Sequence, residues 1–183
     1  MHPWKTLSRS TVLTSTDPKY LTVENHRIEL PDGRQLQDWP WLITPDFVNV
    51  VIVTAEGNFV CFRQTKYAVE GVTLAVAGGY LEAGEEPLDG ARREVLEETG
   101  YAAPEWISLG TYAVDGNRGC GRAHLFLARD ARPAKAIDAD DLEEQEMLLL
   151  TRQEIEAALN DGAFKVLPWS AAVALALLRL DRS

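Results

Sequence analysis

Hydrophobic and polar positions change their period several times along the chain, and these changes predict both strands and helices. Residues 22–30 alternate, a Pro-Asp-Gly turn follows, and residues 34–41 continue as a second alternating stretch, which predicts a hairpin. Residues 47–54 are almost continuously apolar and β-branched, and residues 59–63 return after a turn that contains glycine. Residues 47–63 therefore predict a buried central hairpin.

The remaining pattern predicts further strands and three helices. The strands are expected at 74–77, 106–114, 122–129 and 148–150, and the helices at 87–99, 151–161 and 168–180. Pro87 begins the first helix, Gly100 ends it, and Thr151 with Glu154 forms a capping box for the second. This order predicts an α+β fold with a mixed sheet flanked by helices. The last helix is too short to span a bilayer, so we expect no membrane association.

The helix at 87–99 carries an unusual concentration of negative charge. Glu94, Glu97 and Glu98 are three and four residues apart and share one face, where like charges destabilise a helix. Arg93 alone cannot neutralise three carboxylates. A hard divalent cation such as Mg²⁺ prefers carboxylate oxygens, so the cluster favours a metal site over a network with lysine.

The same segment resembles a known family motif. Gly79, Glu85 and the run Arg-Glu-Val-Leu-Glu-Glu-Thr-Gly-Tyr at 93–101 match the Nudix box, except that the family usually has an aliphatic residue at the position of Tyr101. An acidic solvated helix would explain Glu97 and Glu98, but it would not explain the glycine, Glu85 or the spacing. The chain resembles most the branch of ADP-ribose pyrophosphatases and nucleotide-sugar hydrolases.

The resemblance implies a fold, a reaction and a set of site residues. It implies a Nudix-type α/β/α sandwich that hydrolyses the pyrophosphate of a nucleoside diphosphate linked to another moiety, with Mg²⁺ as cofactor and Mn²⁺ as an alternative. The metal ligands implied are Glu94, Glu97, Glu98 and the carbonyl of Gly78. Arg93 and Glu97 are also assigned to catalysis, Arg93 by orienting a glutamate. Glu85 is assigned to the loop-helix structure or to an outer metal.

The general base in this branch is a glutamate on a loop outside the box. The acidic linker at 138–146 supplies Glu143 and Glu144, with Glu144 slightly favoured, and solvation of a connection is the alternative for each. For substrate binding we expect Arg63, because the stretch 63–67 resembles one that lies near the substrate in this branch. For substrate binding we also expect Arg118, the one cation of the glycine-rich loop at 115–121. A solvated loop is the alternative for both segments.

Two departures from the branch concern the expected substrate pocket. Residues 74–78 read Leu-Ala-Val-Ala-Gly where the branch usually has Glu-x-Pro-Ala-Gly, and residues 115–119 read Asp-Gly-Asn-Arg-Gly where a Ser-Pro-Gly-like element often occurs. The sequence therefore predicts the class of substrate, within which ADP-ribose and a nucleotide sugar are the two alternatives. A catalytically silent Nudix-fold module that binds a nucleotide or a partner is the alternative function, and degenerate box glutamates, which would favour it, are absent from this sequence.

Composition narrows the partners and the compartment. The formal net charge of −10 argues against nucleic-acid binding, which needs a basic surface. The chain of 183 residues contains two cysteines, Cys61 and Cys120, and begins without a secretory hydrophobic segment, so we expect free thiols and a cytoplasmic location.

The first 45 residues are expected to form an extension rich in β-structure that precedes a Nudix domain at 46–183. Trp4, Trp39 and Trp41 lie in this short segment, which is too small to have its own core. We therefore expect them to pack against a second copy of the chain and form a homodimer; packing against the sheet of their own chain is the alternative.

Overall fold

The computed structural model describes residues 2–17, 19–136 and 144–182. The strands are β1 (Lys5–Thr14), β2 (Thr22–Glu29), β3 (Gln35–Ile43), β4 (Phe47–Thr54), β5 (Phe59–Thr65), β6 (Val72–Ala75), β7 (Tyr101–Ala102), β8 (Glu105–Asp115), β9 (Gly119–Pro133) and β10 (Gln145–Leu150), and the helices are α1 (Pro87–Thr99), α2 (Arg152–Asn160) and α3 (Leu167–Leu180). The chain divides into a first compact unit, Met1–Asp46 with Tyr112–Ala123, and a second, Phe47–Thr111 with His124–Ser183.

The first unit contains an antiparallel meander of β1, β2 and β3. The hairpin of β2 and β3 is the one that the alternating pattern predicted. The start of β9 pairs with β3 in parallel through Leu42 and Gly119, so parallel and antiparallel pairing occur together. The prediction of a mixed sheet is confirmed.

The tryptophans of the first unit pack within that unit. Trp4 and Trp39 meet edge to face with ring centroids 5.3 Å apart, and Trp41 stacks on His26 at 5.4 Å. The indole N–H of Trp39 also donates to the carbonyl oxygen of Asn117 at 2.7 Å. The sequence pattern did not indicate the bond to Asn117, because that residue lies far away along the chain.

The second unit is built around the β4–β5 hairpin, which the apolar run predicted. β5 pairs antiparallel with β4, β6 and β10 at different points, and β9 runs beside β4. The largest side chains buried almost completely here are Phe59, Ile52, Leu125, Leu127 and Ile155. Burial of each of these apolar side chains contributes roughly 1.5–3 kcal/mol to stability. The core around this hairpin therefore supports the segments that pack against it.

α1 packs on β4 through its apolar face, where Ala91 and Val95 are fully buried. The helix begins at Pro87 and ends before Gly100, as predicted. Gly100 has φ +71°, which a residue with a side chain rarely adopts, and its N–H donates to the carbonyl of Leu96 at 3.1 Å. The sequence signals at both ends therefore fix the length of the helix that carries the glutamates.

α2 and α3 complete the second unit. The capping box is present: Thr151 accepts from the N–H of Glu154, and Glu154 accepts from the N–H of Thr151. α3 packs on β4 and buries Trp169 and Val173. Among the described residues, no helix combines the length and the hydropathy needed to cross a membrane.

Candidate active site

Residues 77–80, between β6 and α1, lie against β4. The N–H of Val48 donates to the carbonyl of Gly79 at 2.9 Å, and the N–H of Val50 donates to that of Ala77 at 2.8 Å. Gly78 lies between these contacts with φ +154°, and a Cβ at this position would be 2.1 Å from the carbonyl oxygen of Val48. Only glycine fits here, so the backbone of Gly78 is held close to the centre of the unit.

Gly79 leaves space for a carboxylate of α1. A Cβ on Gly79 would be 2.4 Å from Oε1 of Glu94. Because the site of a side chain is taken by that carboxylate, the loop and the helix approach each other closely enough to place Glu94 beside the backbone of 78–79. The side chain of Glu94 is only 13% exposed.

Arg93 joins three glutamates of the motif. Its Nε and Nη2 donate to the two carboxylate oxygens of Glu85, both at 2.9 Å. Its Nη1 donates to Glu94 at 2.8 Å and to Glu97 at 3.2 Å. Glu85 also accepts from the N–H of Glu82 at 2.9 Å. Arg93 thus holds the loop before α1 and the acidic face of α1 together through paired, charge-assisted hydrogen bonds.

The pKa values of the two carboxylates that contact Arg93 most closely are shifted in opposite directions. The hydrogen bonds from Arg93 lower the pKa of Glu85 below its usual value. The pKa of Glu94 is raised, because burial disfavours its charged form more than Arg93 favours it. The pKa of Arg93 is raised in turn, chiefly by its bonds to Glu85. Of these two carboxylates, Glu94 is therefore the one whose charge the free protein compensates less.

Glu98 reaches the same loop from the other side of the cluster. Its Oε2 accepts a hydrogen bond from the N–H of Gly78 at 2.9 Å. Of the four residues that the sequence predicted as metal ligands, the structure joins Gly78 to Glu98 by this bond and Glu94 to Glu97 through Arg93.

The donor set fits a hard divalent cation by its chemistry. It offers three carboxylates and a backbone carbonyl, the oxygen ligands that Mg²⁺ and Mn²⁺ accept. Within the described part of the chain, no three acidic, histidine or cysteine side chains are already gathered as a metal site. In the free protein the guanidinium of Arg93 holds the carboxylates of Glu94 and Glu97.

The predicted substrate arginines lie in different units. Arg63, on β5, is 57% exposed and forms an ion pair with Glu146, its register partner on β10. Arg118 lies in the first unit, where its N–H donates to Asp115 at 3.0 Å and its guanidinium lies 3.7 Å from the same carboxylate. Each arginine has a carboxylate partner that an anionic substrate would have to replace.

The two candidates for the general base lie at the edge of the described chain. Glu144 is exposed and immediately precedes β10. Glu143 lies outside the described residues. Glu144 therefore lies two residues before Glu146, the partner of Arg63.

Asn49 is a polar residue of this site that the sequence analysis missed. It lies on β4 and is only 5% exposed, and a Cβ on Gly78 would be 2.7 Å from its Nδ2. Its Oδ1 is buried without a hydrogen-bond partner among the described residues. The signal was visible as the single amide in the apolar run Phe-Val-Asn-Val-Val-Ile-Val.

The fold and the acidic cluster together define a hydrolase with an α/β/α architecture and a glutamate-rich helix. A family model described as NUDIX domain matches residues 44–170, and the chain belongs to the Nudix family of pyrophosphohydrolases. The predicted family and fold are confirmed.

Similar proteins agree with this assignment. The chain is 27% identical over 156 residues to an ADP-ribose pyrophosphatase of Bacillus subtilis (strain 168), covering 85% of this chain and 81% of the relative. It is 30% identical over 133 residues to the methanol dehydrogenase activator of Bacillus methanolicus, covering 73% and 70%. A solved structure described as an ADP compounds hydrolase superposes with a TM-score of 0.83 at 20% identity, covering 100% of this chain and 96% of the other. The last similarity concerns the fold alone.

Proposed function

We propose that this protein hydrolyses the pyrophosphate of a nucleoside diphosphate linked to another moiety, with Mg²⁺ as cofactor and Mn²⁺ as a substitute. The products would be a nucleoside monophosphate and a phosphorylated second product. The observation that carries the proposal is the cluster of motif glutamates, held by Arg93 beside the backbone of Gly78. Every glutamate of the motif is present, which favours an active enzyme over a silent binding module.

The proposed cation ligands are the carbonyl of Gly78 and the carboxylates of Glu94, Glu97 and Glu98. When bound, the cation would stabilise negative charge on the phosphates and acidify a water molecule. Arg93 orients Glu94 and Glu97, and Glu85 fixes Arg93 through two hydrogen bonds. Arg93 therefore acts by positioning the carboxylates.

For the remaining roles we keep the residues that the sequence indicated. Glu144, or its neighbour Glu143, is the proposed general base, and exposure leaves Glu144 free to approach a substrate. Arg63 and Arg118 are the proposed contacts to the substrate phosphates. Arg63 would exchange its ion pair with Glu146 for a phosphate, which also offers a guanidinium a bidentate partner.

ADP-ribose or a nucleotide sugar is the substrate class we favour. The name of the Bacillus subtilis relative supports ADP-ribose. The departures at 74–78 and 115–119 concern the expected pocket, and they make a nucleotide sugar a serious competitor. Selectivity between these substrates is thus the first quantity to measure.

We also propose a homodimer, formed through the extension at 1–45 that precedes the Nudix domain at 46–183. Its support is exposed apolar surface on β1 and at Trp4, the residue before it: Trp4 is 48% exposed, Val12 66% and Leu13 51%. Among the described strands, β1 pairs along one side only. Sedimentation of the full chain tests this proposal, since a monomer at micromolar concentration would contradict it. The two free cysteines support a reducing, cytoplasmic compartment.

The experiment that tests the proposed reaction is a panel of pyrophosphates with and without Mg²⁺. ADP-ribose, nucleotide sugars and dinucleotides are incubated with the protein, and the nucleoside monophosphate released is quantified. We expect cation-dependent release from at least one of them. Binding of a nucleotide without release of a monophosphate from any compound would favour the silent module.

A further inference from the structure

Asn49 carries a buried oxygen that the fold does not use. The residue is on β4, its side chain is 95% buried (5% exposed), and its Oδ1 has no hydrogen-bond partner among the described residues. A buried acceptor without a donor is costly, and the large majority of buried polar atoms in proteins are paired. A hydrophobic residue of similar size would suit this apolar strand better, so stability does not explain the asparagine.

The location of Asn49 connects its carboxamide with the loop that carries a proposed cation ligand. Its carboxamide lies against Gly78, because a Cβ on Gly78 would be 2.7 Å from Nδ2 and 3.0 Å from Cα of Asn49. On its other side, Gly78 donates its N–H to Glu98 at 2.9 Å. Asn49, Gly78 and Glu98 are therefore consecutive members of one cluster, and two of them are proposed cation ligands.

We propose that Asn49 is part of the divalent-cation site, where its Oδ1 accepts a hydrogen bond from the hydration shell of the bound cation. The proposal rests on the function proposed above. Mg²⁺ in proteins keeps several water ligands, and these waters donate hydrogen bonds and need acceptors. An amide oxygen without a donor supplies the acceptor without adding a fourth negative charge to the cluster.

This role differs from a structural one in the sign of its effect on stability. A structural polar residue stabilises the free protein, so its replacement lowers the melting temperature. For Asn49, removal of an unpaired buried oxygen leaves the free protein equally or more stable and weakens the cation site. Partners that surround the direct ligands contribute roughly 10- to 100-fold to metal affinity.

The test measures binding of Mn²⁺ alone to the full chain by electron paramagnetic resonance, together with thermal unfolding in a chelator. Asn49→Leu keeps the number and branching of the side-chain heavy atoms and removes the oxygen, and we expect roughly 10- to 100-fold weaker Mn²⁺ binding with an unchanged or higher melting temperature. If that variant does not fold, Asn49→Ala, which cannot crowd Gly78, is measured for the same loss of affinity.

Thr54→Val is the matched control on the same strand. Thr54 is 3% exposed, and its hydroxyl accepts from the N–H of Asn58 at 3.3 Å, so this buried oxygen is used. We expect a lower melting temperature and unchanged Mn²⁺ affinity. Wild-type affinity in the Asn49 variants, or an equal loss of affinity in Thr54→Val, would overturn the role of Asn49 and leave the proposed function intact. Failure of the wild-type protein to bind Mn²⁺ would overturn both.

Discussion

The N–H of Gly78 donates to the carboxylate of Glu98 at 2.9 Å across 20 residues of sequence. This bond fixes the C-terminal half of α1 to the loop that follows β6. A proposed backbone ligand and a proposed carboxylate ligand are thus positioned by each other, and replacement of one carboxylate tests the metal assignment directly.

Glu98→Gln is expected to fold normally and to lose nearly all turnover. Glutamine keeps the shape and still accepts from Gly78, but it removes the charge that a divalent cation needs. Because even an outer partner of a metal site contributes up to about 100-fold, we expect kcat to fall by at least about that factor, with partial recovery at high Mg²⁺. Steady-state assays over a Mg²⁺ series check this, with circular dichroism for folding. Wild-type turnover at limiting Mg²⁺ would exclude Glu98 as a ligand.

Glu143→Gln/Glu144→Gln tests the proposed general base. Loss of a proton acceptor should lower kcat by roughly 10²–10⁴, while Mn²⁺ affinity stays at the wild-type value because neither residue is a proposed ligand. Added Mg²⁺ should restore nothing, in contrast to Glu98→Gln. If the double variant keeps near-normal kcat on the best substrate of the panel, the base is another group.

Arg93→Ala should destabilise the free protein because it leaves Glu85 and Glu94, both mostly buried, without their cation. We expect a loss of about 2–3 kcal/mol, or roughly 5–10 °C in Tm for a domain of this size. Mg²⁺ should return part of this loss, since it can neutralise the same carboxylates. Differential scanning calorimetry with and without Mg²⁺ provides the measurement.

Arg92→Ala is the control for that experiment. Arg92 is the neighbouring residue on α1 and pairs with Asp89 at 3.3 Å, but the two side chains are 54% and 67% exposed. The guanidinium carbon of Arg92 also lies 6.0 Å from the centre of the Trp106 ring. Loss of the Arg92 side chain should cost no more than about 1 kcal/mol, the upper range for an exposed ion pair with an aromatic neighbour. Equal destabilisation by both variants would show that the Arg93 cluster adds nothing beyond a surface charge.

Cys61 predicts a loss of stability at alkaline pH. Burial raises the pKa of its thiol from 9.0 to about 12. Between these values the unfolded state releases a proton that the folded state keeps, so the free energy of unfolding falls as the pH rises above the unfolded pKa. Between about pH 8 and pH 10, the wild-type protein should lose about 1 kcal/mol more than Cys61→Val. Urea unfolding of both proteins at the two pH values measures this difference. An equal loss of stability in the two proteins would contradict the raised pKa of the buried thiol.

Local signals explain why so much of α1 was predictable. Pro87 and Gly100 determine the ends of the helix through their own backbone preferences, and the spacing of the glutamates determines which face is acidic. β1 shows the opposite case. Nine of its ten residues are exposed and the tenth is half-buried, so no buried face imposes an alternation that a reader of the sequence could recognise.

Contacts between distant segments could not be predicted from the sequence. The ion pair of Arg63 with Glu146 depends on the register of β5 and β10, which neither strand specifies alone. The proximity of Asn49 to Gly78 likewise depends on how the loop after β6 lies along β4. The amide in an apolar run was visible, but its neighbour was not.

Arg93 also determines how the protein behaves when cations are scarce. Many metal proteins unfold in the presence of chelators, because their ligands repel one another or lack partners without the ion. Here the guanidinium of Arg93 takes the place of the metal ion, because it forms ion pairs with Glu85, Glu94 and Glu97. We therefore expect the protein to fold without an ion, so that loss of the proposed cation would lower activity and leave the fold intact.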